Sequence, residues 1–126
     1  MDEPFFCVMK NIAENIKNYV NVWNEQTPEA IKAVLQQCCV PEVSYIDKNT
    51  PAFSCIDRLV DLIMQSYVIV PGRTIDMQSE PECFEGHAYY SWGIQIPGIG
   101  ERIGRDYMTY NEDGLIVSIV GFLPVA

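Results

Sequence analysis

Asp106 is the residue whose type and position most favour acid–base chemistry. It falls in the middle of a predicted strand and alternates with Gly104, Met108 and Tyr110, so it shares a strand face with largely apolar neighbours. Aspartate is unfavourable in the middle of a strand, which indicates that it serves a purpose there. If this face lines a dry pocket, burial penalises the charged form and the carboxyl group keeps its proton more readily.

Three further side chains could take part in catalysis, but each could instead have a purely structural role. Asp47 ends a predicted strand beside a polar loop, where aspartate often only accepts hydrogen bonds from nearby backbone amides. Tyr19 lies on the apolar stripe of the first predicted helix and could be a donor or merely part of the core. His87, the single histidine, has neither HExxH nor paired-cysteine spacing near it, so we expect a structural or surface role.

The N-terminal half is predicted to be helical. Apolar residues recur at three- and four-residue steps from Phe5 to Trp23 and predict a long amphipathic helix. Thr27-Pro28-Glu29 supplies a capping hydroxyl, a proline and an acid, which start a second helix that ends at Pro41. Ser54 is predicted to cap a third helix with Ile56 to Met64 along its apolar side.

The C-terminal half is predicted to be sheet. The segment around Asn49-Thr50-Pro51 is predicted as a loop, residues 74–84 as an acidic edge strand interrupted at Pro81, and residues 111–114 as a hairpin turn. The remaining predicted strands are 42–47, 87–96, 102–110 and 115–122. Helices followed by long strands predict one α+β domain over residues 1–126, with an antiparallel sheet.

Composition limits the partners. The formal charge of −9, with only eight lysines and arginines, argues against nucleic acid and against anionic membrane surfaces. No apolar run approaches the roughly 20 residues that span a bilayer, and the N-terminus is acidic where a signal peptide is basic. Five cysteines without CxxC spacing predict reduced thiols and a cytoplasmic protein. No metal, flavin or nicotinamide signature is present, so we expect no cofactor and a hydrophobic small molecule as the partner.

The order of these elements resembles the nuclear transport factor 2-like superfamily, which includes SnoaL-like polyketide cyclases and ketosteroid isomerases. The likeness covers almost the whole chain and rests on the order and spacing of several segments. It implies a cone-shaped roll in which three helices pack on a strongly curved antiparallel sheet around a pocket, and a homodimer formed through the sheet face. The segments that carry it are 19–24, 43–47, 90–92, 104–107, 113–116 and 121–122.

The resemblance also implies catalytic roles for Tyr19, Asp47 and Asp106. In the isomerase branch Asp47 would take a proton from carbon next to a carbonyl, while Tyr19 and a protonated Asp106 would hydrogen-bond the developing oxyanion. Lys48 follows Asp47, where the isomerases usually have proline. The SnoaL-like cyclases rely chiefly on an acid at the Asp106 position, so this residue serves both alternatives.

Two functions are therefore predicted from the sequence. The first is an acid–base isomerase or cyclase that acts on a hydrophobic carbonyl compound. The alternative is a non-catalytic ligand-binding or dimerisation domain of the same fold. An open cavity that contains a carboxyl group of raised pKa would favour the first. The predicted ligand-binding residues are Trp23, Tyr45, Met64, Tyr90, Trp92, Met108 and Phe122.

Overall fold

The computed structural model describes the backbone of residues 3–125 and the side chains of residues 12–125. The predicted inward positions of Phe5 and Met9 lie outside the described side chains. Three helices precede most of the sheet, and seven strands form it. The elements are α1 (Glu3–Val22), α2 (Pro28–Cys38), β1 (Cys39–Asp47), β2 (Thr50–Ser54), α3 (Ile56–Ile69), β3 (Thr74–Met77), β4 (Glu82–Phe84), β5 (His87–Ile96), β6 (Gly100–Tyr110) and β7 (Ile116–Phe122).

The helices begin largely where local chemistry predicts. The Thr27 hydroxyl accepts a hydrogen bond from the amide of Ala30 at 3.2 Å, and Pro28 occupies the first helical position of α2. The start of α3 differs from the prediction. Ser54 is the last residue of β2, and Cys55 precedes the helix with a φ of 99° and no side-chain cap. Tertiary packing, and not a capping side chain, therefore fixes this helix start.

The strands form one mixed sheet in the order β2-β1-β7-β6-β5-β3, with β4 also paired to β5. All neighbouring pairs are antiparallel except β1 and β7, which are parallel. The α+β fold class is confirmed, but the sheet is not antiparallel throughout. Most of the domain separates β1 from β7, which leaves ample chain for a parallel crossover. Irregular register in β1 and near the end of β6 accompanies the curvature, since bulges bend strands.

Three predicted boundaries differ from the structure. The segment 74–84 forms two short strands, β3 and β4, which pair with different parts of β5 because residues 78–81 leave the sheet. The predicted loop around Pro51 is instead strand β2, which pairs with β1 at the edge of the sheet. Proline is compatible with this position because an edge strand has one side without ladder bonds. Pro41 lies within β1, beyond the end of α2.

The core lies between the helices and one face of the sheet. Helix residues such as Ile16, Leu35 and Ile63 are fully buried against strand residues such as Met108 and Ile119. The opposite sheet face is open in the single chain and exposes large apolar side chains, among them Tyr89, Ile103 and Phe122. The homodimer through this face stays a prediction.

Candidate active site

A cavity of about 260 Å³ opens between α1, α3 and the inner face of the sheet. Its wall is mostly apolar, with a few polar side chains that converge on it. The volume lies just below the lower end of about 300 Å³ that is typical of drug-sized ligand sites, which suits a compact molecule of one or two rings. The polar lining consists of Tyr19, Tyr45, Asp47, Asn49, Thr50, Ser66, Arg73 and Asp106.

Asp106 projects into this cavity from the inner face of β6. It is only 6% exposed, and both of its carboxylate oxygens accept a hydrogen bond from strand β5. The hydroxyl of Tyr90 donates to Oδ2 at 2.6 Å, and the indole Nε1 of Trp92 donates to Oδ1 at 3.0 Å. Tyr90 pairs directly with Asp106 in the β5–β6 ladder, so the strand register sets this geometry.

Burial raises the pKa of Asp106 from an ordinary value of 3.8 to about 6. The hydrogen bonds from Tyr90 and Trp92 oppose this rise because they stabilise the carboxylate, and the negative charge of Asp47 adds to it. The prediction of a carboxyl that keeps its proton more readily thus holds, but at neutral pH the ionised form predominates. A group that ionises near pH 6 is well placed to accept and return a proton under physiological conditions.

Asp47 lines the same cavity and is half-buried. Its Oδ2 accepts a hydrogen bond from Tyr45 at 2.6 Å, and its Oδ1 accepts one from the amide of Asn49 at 2.8 Å. The second bond is the local backbone contact anticipated as the simpler alternative. Its role as a catalytic base stays a prediction.

Gly121 on β7 lies next to three polar side chains of the cavity, those of Tyr45, Asp47 and Asp106. It pairs with Asp106 in the β6–β7 ladder. A Cβ at this position would lie 3.0 Å from the Tyr45 hydroxyl, 3.5 Å from Cβ of Asp47 and 3.6 Å from Oδ1 of Asp106. The absence of a side chain at Gly121 therefore leaves room for these three groups beside the backbone of β7.

Tyr19 closes the site from the helical side. It is 1% exposed and lies beside Trp23, with the two rings edge-on at a centroid distance of 6.4 Å. Its pKa is raised, first by burial and then by the charges of Asp106 and Tyr45. The phenol therefore stays protonated and can act as a hydrogen-bond donor inside the cavity. The structure thus brings Tyr19, Asp47 and Asp106 to one cavity.

The predicted ligand-binding residues divide into two groups. Trp23, Tyr45 and Trp92 line the cavity. The other four do not line it, for reasons that depend on their elements. Tyr90 and Met108 are fully buried beside Asp106, and Met64 packs against the core. Phe122 is 46% exposed on the outer face, because strand alternation turns it away from the inward-facing Gly121.

Arg73 is a cavity residue that the sequence analysis missed. It is 2% exposed and lines the cavity from the segment between α3 and β3. The sequence does contain a weak signal, since Arg73 is the only lysine or arginine between Arg58 and Arg102 and follows a Pro-Gly turn. Nothing in the local pattern indicates that its side chain turns inward.

His87 lies outside the site. It is exposed at the start of β5, stacks on Tyr107 and forms a 2.5 Å hydrogen bond with the hydroxyl of that residue through Nδ1. Among residues whose side chains are described, no cluster of three metal-binding groups occurs. Nor does any described helix have the length and apolarity that crossing a bilayer requires.

Comparison with known proteins identifies the fold. No protein-family model and no curated protein matches the sequence. A proposed isomerase of the SnoaL-like family from Agrobacterium tumefaciens has a similar structure, with a TM-score of 0.79 and 21% identity over 92% of this chain and 99% of that one. Two other structures are similar at lower identity, and their names agree with the predicted resemblance. The chain therefore has the nuclear transport factor 2-like fold.

The first of these two is a proposed SnoaL-like polyketide cyclase from Jannaschia, with a TM-score of 0.65 and 11% identity over 86% of this chain and 83% of that one. The second is a nuclear transport factor 2-like protein from Exiguobacterium, with a TM-score of 0.69 and 13% identity over 89% of this chain and 99% of that one. At these identities the similarity establishes the fold and leaves the function to the site.

Proposed function

We propose that the protein is an acid–base enzyme of the isomerase or cyclase type that acts on a compact, largely apolar carbonyl compound. The observation that carries the proposal is the Asp106 carboxyl group, which is 6% exposed in the wall of a cavity and whose pKa is raised to about 6. Perturbed carboxyl groups in concave apolar sites are candidates for catalysis. The names of two structural neighbours, a proposed isomerase and a proposed cyclase, agree with this class.

In this mechanism the Asp106 carboxylate removes a proton from carbon adjacent to the carbonyl. The electron pair moves to the carbonyl oxygen, where Tyr19 donates a hydrogen bond to the developing enolate. Asp106 then returns its proton to another carbon, which completes an isomerisation. Alternatively, the enolate carbon attacks a second carbonyl and closes a ring, and Asp106 gives its proton to the alkoxide that forms. Asp106 thus acts as the base, whereas the family resemblance assigned that role to Asp47. Burial is the main cause of the raised pKa of Asp106, and the charge of Asp47 adds to the rise.

Deuterium exchange into a simple ketone tests this proposal without knowledge of the natural substrate. We expect the wild-type protein to accelerate exchange of the α-protons of 2-tetralone in D₂O, followed by proton NMR. Asp106→Asn should reduce this acceleration by about 10²- to 10⁴-fold, the usual contribution of a general acid–base group. Asp113→Asn is the matched control, because Asp113 is exposed in the β6–β7 turn, away from the cavity.

Equal exchange rates in Asp106→Asn and the wild type would contradict the proposed role of Asp106. Binding of 2-tetralone without any acceleration would favour the alternative function, a non-catalytic ligand-binding domain. One observation favours this alternative: both carboxylate oxygens of Asp47 already accept a hydrogen bond within the protein, from Tyr45 and from the amide of Asn49.

A further inference from the structure

Arg73 is a buried cation held at one side of the cavity. Its Nη1 donates to the carbonyl of Trp23, just beyond the end of α1, and its Nη2 donates to the Ser66 hydroxyl on α3 at 2.5 Å. The guanidinium also lies 3.9 Å from the ring centroid of Tyr67. These contacts fix the position of the group without using all of its donors.

No acid neutralises this charge among the described side chains. The only ion pair between them that falls within 4.0 Å joins Lys32 and Asp57. A guanidinium carries five N–H groups, and two of those on Arg73 are used. Its Nε–H is buried and has no described partner. Aromatic rings and carbonyl dipoles compensate a buried cation only in part, so an unpaired arginine in a cavity favours an anion.

We propose that the molecule bound in this cavity carries a carboxylate, which pairs with Arg73, and an apolar body that extends toward Asp106 and Tyr19. The position of the reactive carbonyl beside Asp106 rests on the proposed function. A single guanidinium matches one carboxylate in charge and in its planar fork. Apolar side chains such as Ile75 and Val70 line the same cavity and suit the body of the ligand. The proposed substrate class is therefore a small keto acid.

The arrangement also keeps the carboxylate of the ligand away from the carboxylate of Asp106. Arg73 is bonded to the ends of α1 and α3, whereas Asp106 is bonded to β5. A carboxylate placed beside Asp106 would be repelled by it, but a carboxylate at Arg73 is paired. A ligand with both groups therefore has one favoured orientation, which presents its carbonyl end to the acid–base group.

A pair of probes that differ only in charge tests this proposal. We expect the wild-type protein to bind 4-oxo-4-phenylbutanoate about 10- to 100-fold more tightly than 4-oxo-4-phenylbutanamide at about pH 8, measured by calorimetry. Arg73→Gln should abolish this preference. Arg102→Gln should retain it, because Arg102 is exposed and its one hydrogen bond to a described residue goes to the carbonyl of Glu101.

Equal affinity of the wild type for the two probes, or no binding of the acid, would overturn the proposal. So would a preference that persists in Arg73→Gln. If Arg73→Gln fails to fold, the NMR resonance of the Arg73 Nε–H in the wild type provides a second measurement. This resonance should shift when 4-oxo-4-phenylbutanoate is added and not when the amide is added. A shift with neither probe would overturn the proposal. Exchange into 2-tetralone, which has no carboxylate, tests Asp106 independently.

Discussion

We expect the Asp106→Asn variant to be more stable than the wild type at about pH 8, although it removes the proposed catalytic group. In the folded wild type the pKa of Asp106 is about 6, against an ordinary value of 3.8. Between these values the folded chain binds a proton that the unfolded chain has released, so the stability of the wild type falls as the pH rises through this window. Above this pH window, the ionised carboxylate lowers the free energy of unfolding of the wild type by about 3 kcal/mol.

Asparagine has no such cost, but an NH₂ group replaces one of the two carboxylate oxygens that accept from Tyr90 and Trp92, so one of these two charge-assisted hydrogen bonds is lost. The lost bond offsets about 1–2 kcal/mol of the gain. The clearest signal is therefore the pH dependence. In urea denaturation, the stability of Asp106→Asn relative to the wild type should increase by about 2–3 kcal/mol between pH 4 and pH 8. Asp113→Asn should show no such change, and a pH-independent difference for Asp106→Asn would contradict the account.

The second large effect is expected from Gly104→Ala, which lies directly opposite Trp92 in the β5–β6 ladder. A Cβ at Gly104 would lie 2.3 Å from Cζ2 and 2.5 Å from Cη2 of the indole, so the ring must move. Overpacking of this kind costs about 1–3 kcal/mol. The displaced indole would also lose its hydrogen bond to Asp106, which should raise the pKa of Asp106, because this bond lowers it.

A double-mutant cycle shows whether the indole is the cause. In a Trp92→Leu background the ring is absent, so Gly104→Ala should cost little free energy of unfolding in urea denaturation. The same cost in both backgrounds would show that the alanine acts through the backbone or another neighbour. Gly104 has no positive φ, and backbone strain is therefore not expected to contribute.

Local chemistry in the sequence predicted much of the fold. Thr27 and Pro28 specify the start of α2, and the alternation of residues 87–96 specifies β5. Asp106 could be singled out because a charged residue in mid-strand among apolar neighbours conflicts with local preference unless the site uses it. The inward direction of its face followed only from the structure, because alternation does not say which face is buried.

Long-range features could not be predicted in this way. The parallel pairing of β1 with β7 and the donors of Asp106 depend on which strands become neighbours and in what register. Tyr90 and Trp92 were predicted to contact a ligand directly. Both instead donate a hydrogen bond to Asp106, and of the two only Trp92 also lines the cavity. Arg73 was missed because its side chain bonds the carbonyl of Trp23, which lies 50 residues earlier in the chain, and the hydroxyl of Ser66 on α3, and no local sequence pattern predicts these contacts.

The ionisation of Asp106 is the property on which the proposed chemistry depends. It can be followed directly by ¹³C NMR of the side-chain carboxyl groups as a function of pH, with Asp106→Asn used to assign the signal. We predict a midpoint of about 6 for Asp106. A midpoint near or below about 4, the range of an ordinary aspartate, would show that the cavity does not perturb this carboxyl group and would contradict its role as the acid–base group.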